Sequence, residues 1–207
     1  MSDDPMHHAG ERQVDVRDLP VRRRHPVVFD AYQELMTGQS LIVVNDHEPR
    51  GLREEFDREF AGSFSWDVVT SEDANYRVRI TKRASTALPR VVSDTTALME
   101  ASDPGTGGSI WQLSPGERDL DANIIALPAH DEIGMHVGPN LDVLILVLDG
   151  SGELHTELDV LELDRGALLW LPRKAHRRFV AGPEGLQYFS VHQRKPTLSI
   201  TPAPHSS

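Results

Sequence analysis

Two histidines beside proline-bearing turns are the side chains of this chain best suited to chemistry. His25 directly precedes Pro26, and His47 follows Asp46 and leads into Glu48-Pro49. Two imidazoles and a carboxylate could bind a divalent metal and leave positions open for water or a small ligand. The same residues could hold an anion, with exposed helix N–H groups and the adjacent Arg22, Arg23 and Arg24 as donors. A plainer reading is open too, in which His25 and Asp46 only cap helices and fix turns, Asp being a favoured N-cap residue. The 207 residues include no cysteine, which removes disulfides, thiolate metal sites, thiol nucleophiles and persulfide carriers together. His7 and His8 form another pair able to take up stray metal, within a polar N-terminus.

The elements that must position these groups follow from hydrophobic spacing. Val14-Asp15-Val16 reads as a strand, Pro26 to Met36 as a helix, Leu41 to Val44 as an apolar strand and Pro49 to Phe60 as a second helix. Val28, Phe29, Tyr32 and Leu35 share one helical face, and Leu52, Phe56 and Phe60 recur at four-residue steps, so each helix can cover a sheet. Pro26 and Pro49 fit near helix starts, where the missing N–H matters least. Ser65 to Val69 and Tyr76 to Thr81 read as strands joined by the turn Glu72-Asp73-Ala74-Asn75, which completes a β-α-β-α-β-β, α+β two-layer sandwich over residues 14–83. In a β-α-β unit the two strands run parallel, so the chain ends feeding the helices share one sheet edge and bring His25, Asp46 and His47 together.

Residues 84–108 shift to proline and glycine and read as a linker around a short helix, Ser93 to Ala101. Beyond it, over residues 109–200, short strands recur between turns: Asn123 to Leu127, Asp142 to Leu148, Glu153 to Leu158, Ala167 to Leu171, Arg178 to Val180 and Leu186 to His192. Gly134, Asp149-Gly150, Asp164-Arg165-Gly166 and Gly182-Pro183 mark the turns. That spacing predicts an all-β barrel or jelly roll. The apolar run Val143 to Leu148 predicts a strand covered on both faces, by a second copy in a homodimer. Trp66 is expected in the first core, and Trp111 and Trp170 in barrel packing.

Charge narrows the partners. The net charge is −11 and the basic residues are scattered apart from the arginine triplet, which argues against a nucleic-acid partner. No apolar run is long enough to cross a bilayer, and the first residues lack the apolar stretch of a signal peptide, so a cytoplasmic protein without membrane contact is expected.

Val14-Asp15-Val16-Arg17-Asp18-Leu19, with the order of elements, resembles the TusA/SirA-like sulfur-carrier family over about Val14 to Lys82. In that family a Cys-Pro opens the first helix, and His25-Pro26 stands in its place here. The resemblance therefore implies the fold without the sulfur relay, since an imidazole cannot hold a persulfide. The later strands resemble the cupin superfamily over about Ile110 to Gln193, with its metal motifs thinned. Counted back from Gly150, Val143 takes the place of the ligand glutamate, His136 that of the first histidine and Gly138 that of the second. In the second motif Gly166 and Pro172 match, while Lys174, Arg177 and Ala181 replace glycine, histidine and asparagine.

This resemblance implies a pocket altered in chemistry. His176 lies one residue early, and neighbouring side chains on a strand face opposite ways, so Arg177 points inward unless a bulge intervenes. A guanidinium there would repel a cation and attract a carboxylate or phosphate. The resulting expectation is a two-domain small-molecule-binding or regulatory protein with an anionic ligand. The alternative is a metal-dependent cupin enzyme of oxygenase or isomerase type, with iron, manganese, nickel or zinc held by His136 and some of His130, Asp142 and His192. A third reading, a protein-interaction adaptor, follows if bulky side chains fill the barrel.

Overall fold

The computed structural model describes residues 11–72, 74–103 and 105–194; His7 and His8, Asp73 of the expected turn and the end of the expected second domain lie outside them. The chain is mixed α and β, mostly β, and divides into two compact units, Met1–Arg90 and Val91–Ser207.

The first unit runs β1 (Arg12–Asp15), α1 (Val21–Gln33), β2 (Ser40–Asn45), α2 (Arg50–Glu59), β3 (Phe64–Glu72) and β4 (Asn75–Lys82). Its sheet has the order β1-β2-β4-β3, with β1 and β2 parallel and the other pairs antiparallel. The parallel pair carries the chain past Val16 and Asn45 on the same edge, where Val16 N–H donates to the Val44 carbonyl at 3.0 Å. Val28 and Tyr32 of α1 and Leu52 and Phe56 of α2 are buried with Leu41, Val43, Val78 and Ile80 of the sheet. Phe56 is the hub of this core: its ring lies 4.7 Å from Phe29, 5.0 Å from Tyr32 and 5.9 Å from Trp66.

Helix α1 starts five residues before the expected Pro26. Pro20 occupies the N-cap and Pro26 lies inside the helix. The ring of Pro26 removes the N–H that would bond the Arg22 carbonyl. Both residues are exposed, so water can satisfy that carbonyl and the helix continues. As a result His25 projects from the second turn of α1 and is not a helix cap.

The second unit runs α3 (Thr95–Ala101), β5 (Gly108–Gln112), β6 (Leu120–Leu127), β7 (Glu132–Val137), β8 (Val143–His155), β9 (Val160–Asp164), β10 (Leu168–Leu171) and β11 (His176–Gln193). Asp94 caps α3 by accepting from Thr96 and Ala97 N–H groups. The strands form one seven-stranded sheet with the path β10-β8-β11-β6-β5, β9 added beside β8 and β7 beside β11. The path ends at β10 and β5, so among the described residues the strands of the expected barrel or jelly roll form one sheet that does not close on itself.

Two pairs of expected strands are each one long strand, β8 and β11, and the glycines read as turns are the cause. A Cβ on Gly150 would lie 2.1 Å from the Gly185 carbonyl oxygen, and one on Gly152 would lie 2.4 Å from that of Val180. These glycines let the two backbones cross closely while the register shifts between Ala181 and Leu186. Val143, Ile145 and Val147 are buried, whereas Leu144 is 44% exposed, so one chain covers only one face of the run expected to be covered on both. Trp170, expected in packing, is 62% exposed.

Candidate functional site

In the first unit the edge shared by β1 and β2 opens into a cavity of about 270 Å³. Its floor is apolar, with Val16, Val28, Val43 and Leu52, and its rim carries Arg24, His25, His47, Glu48 and Arg50. Arg24 fixes the rim. Its guanidinium donates to the carbonyls of Leu19 and Arg17, to Asn45 Oδ1, and to both oxygens of Asp46 at 2.9 and 3.2 Å. Asn45, buried between the strands, donates in turn to the His47 carbonyl.

Of the three residues expected to meet here, His25 and His47 both line the cavity, while the Asp46 carboxylate is taken by Arg24 and His47. His47 Nδ1–H donates to Asp46 Oδ1 at 2.5 Å. Arg24, and after it His47, hold the Asp46 carboxyl down at about 2. His25 Nδ1 faces Glu55 Oε2 at 3.1 Å, and its ring lies over the first turn of α2, where a Cβ on Gly51 would be 3.5 Å from its Cε1. Sequence reading missed Glu55 and Gly51. Their one signal is a four-residue spacing on α2, and it names no partner.

In the second unit His136 and Arg177 stand directly opposite each other on β7 and β11. The register shift between these strands places its extra residue on β7, so alternation along β11 is unbroken from Arg177 to Phe179 and Ala181, both core residues. His176 is exposed and faces Glu157 at 3.8 Å. Arg177 is half-buried; its Nε–H donates to His136 Nε2 at 3.4 Å, and His136 Nδ1–H donates to the Gly134 carbonyl. Arg177 NH1 is fully buried without a hydrogen-bond partner among the described residues.

A Cβ on Gly138 would sit 3.1 Å from this guanidinium, so glycine at that place leaves room for it. Burial pushes the Arg177 guanidinium below its ordinary pKa, against the opposing pull of nearby Tyr188. Burial likewise pushes the Tyr188 hydroxyl up to about 12. Tyr188, which the sequence reading passed over, stacks on Phe179 at 5.2 Å.

The other donors of the expected metal set go elsewhere. His130 is exposed in a turn with φ of 63°. Asp142 accepts from the Arg173 backbone N–H, and His192 Nδ1–H donates to the Gln193 carbonyl. Among the described residues no three His, Asp or Glu side chains gather to hold an ion, so His130, His136, Asp142 and His192 do not form one site. The reason is local: each is tied to a different loop or strand end, and the Nε2 lone pair of His136 already accepts from Arg177.

Residues 13–82 match the profile of a family described as an uncharacterized conserved protein, DUF2249. No curated protein matches the chain. Among solved structures, the chain is similar at 13% identity to a cupin-2 domain containing protein from Shewanella frigidimarina, over 50% of this chain and 95% of that one, with a TM-score of 0.40. It is similar at 14% to a protein from Bacillus halodurans, over 53% and 85%, with a TM-score of 0.42. It is similar at 19% to the polyketide cyclase RemF from Streptomyces resistomycificus, over 43% and 65%, with a TM-score of 0.37. No helix among the described residues is long and apolar enough to cross a membrane.

Proposed function

We propose that this chain is a cytoplasmic small-molecule-binding or regulatory protein whose second unit takes an anion, with a carboxylate as the recognised group, on Arg177. The sulfur-carrier-like first unit has no sulfur chemistry of its own, because the chain lacks any thiol. The observation that carries the reading is the buried, unpartnered NH1 of Arg177. A buried donor left without an acceptor costs about 1–3 kcal/mol, more when charged, and a ligand oxygen would remove that cost. The planar fork of a guanidinium matches a carboxylate, and its partial burial would strengthen the contact by limiting water. Tyr188, kept protonated by burial, is a second donor of fitting chemistry. The enzyme alternative asks His136 to be joined by some of His130, Asp142 and His192, and it has less support, since among the described residues no three His, Asp or Glu side chains gather.

The test is calorimetric titration of the full chain with acetate, benzoate and inorganic phosphate, repeated on Arg177→Met. A carboxylate should bind with a Kd of about 1 mM or tighter. The variant should fold at least as stably, since an apolar side chain in place of a buried charge is often neutral or stabilising. It should also lose the binding. Equal carboxylate affinity in Arg177→Met would refute the site.

A further inference from the structure

The polar rim of the cavity in the first unit is already paired within the protein. Arg24 gives its guanidinium to Asp46, Asn45 and two carbonyls. Arg50 is engaged by Glu48, and His47 by Asp46. His25 Nδ1 lies 3.1 Å from Glu55 Oε2. Asn45, the buried polar residue of the lining, uses both ends of its amide, accepting from Arg24 and donating to the His47 carbonyl. Among the described residues, no buried side-chain atom lacking a partner lines this cavity, in contrast to Arg177 of the second unit.

Inside the rim the walls are apolar, with Val16, Val28, Val43 and Leu52. A charged ligand would have to take a partner from one of the rim pairs or enter unpaired, and an unpaired charge held away from water is costly. An uncharged apolar molecule needs only to replace water against these walls, which is favourable without any new polar contact. Volume sets its size. A dry cavity of about 150 Å³ lined by Leu, Ile and Phe accepts benzene, so 270 Å³ has room for about ten non-hydrogen atoms. Gly51, on the first turn of α2, leaves the wall beside His25 clear. A Cβ there would meet only His25 Cε1, at an ordinary 3.5 Å, so packing does not demand the glycine, and what its missing side chain leaves is open space at the rim.

From this we infer that the cavity of the first unit binds one compact, uncharged, mostly apolar molecule of about ten non-hydrogen atoms, aromatic or branched aliphatic. Any single polar group it carries faces the rim. Its lining residues and Arg177 belong to different units, and neither site depends on the other.

Methyl NMR titration of the full chain near neutral pH tests it, with three probes of nearly equal size: neutral benzyl alcohol, cationic benzylamine and anionic benzoate. Benzyl alcohol should shift the Val28, Val43 and Leu52 methyls saturably, with a Kd of about 1 mM or tighter. Benzylamine and benzoate should act on these methyls about tenfold more weakly or not at all. Benzoate taken up on Arg177 is read separately, at Ile133 and Leu154, which flank Phe179 in the second unit. Gly51→Leu, a helix-favouring side chain set on the cavity wall, should weaken benzyl alcohol by about tenfold or more, with circular dichroism checking the fold. No saturable shift with benzyl alcohol, equal or tighter binding of either charged probe at these methyls, or unchanged affinity in a folded Gly51→Leu overturns the assignment. The first two outcomes are read on the unaltered chain and decide the matter even if the variant does not fold.

Discussion

Arg24 ties the end of β1 to the end of β2 through one side chain, and only 15% of that side chain remains exposed. Its partner Asp46 is held at about 2, by Arg24 first and His47 second. A carboxyl whose folded pKa is depressed stabilises the fold above its unfolded value of 3.8, and that contribution is lost as pH falls through the folded value. Thermal unfolding followed from pH 5 down to pH 2 should therefore show the wild-type chain losing its advantage over Asp46→Asn, with the gap closing at the acid end. A gap that widens on acidification would show that Asp46 is not the group being titrated. The variant also releases His47 from its hydrogen bond to Asp46.

At the scale of elements, helix α1 and the strand pair β8 and β11 each accept residues that ordinarily break them. Pro26 is tolerated because the lost hydrogen bond lies on the solvent side of α1. Gly150 is required because its backbone, at φ of 72°, passes under the Gly185 carbonyl. Gly150→Ala combines a conformation unfavourable to L-residues with a steric overlap against backbone, and should destabilise the chain by about 2 kcal/mol or more. Gly134→Ala, where a Cβ meets nothing within 4 Å, should stay within about 0.5 kcal/mol. Urea denaturation of both variants measures the contrast. Equal effects would mean that the close crossing of β8 and β11 is not what demands glycine.

For the molecule as a whole, the second unit leaves an apolar sheet face uncovered. Leu144 on β8 pairs in register with Trp170 on β10, where Trp170 is 62% and nearby Leu168 69% exposed. Strand β10 ends the main path of the sheet among the described residues. We propose that a second copy of the chain covers this face, because packing face to face about a twofold axis is self-complementary and presents the same apolar residues to each other. Sedimentation at about 50 µM should then give a dimer, and Trp170→Glu a monomer, since a charge would be buried at the contact. A wild-type monomer at that concentration would rule the dimer out.

The sequence by itself determined what local periodicity can carry. Leu52 and Phe56 announce a helix face, Val14 and Leu41 to Val44 announce strands, and the absence of cysteine removes thiol chemistry, because each depends only on near neighbours or on composition. Alternation alone also turned Arg177 and His176 to opposite sides. Only the tertiary structure decided that Gly150 and Gly182 lie inside long strands, that His136 gives its lone pair to an arginine 41 residues away, and that Arg24 on the cavity rim is engaged by Asp46. Strands β5, β7 and β9 escaped the sequence reading because their pairing with distant strands, more than their own alternation, holds them in place. Charge and lone-pair availability at a site depend on which side chains meet across the fold, and that information lies in long-range contacts that no local spacing encodes.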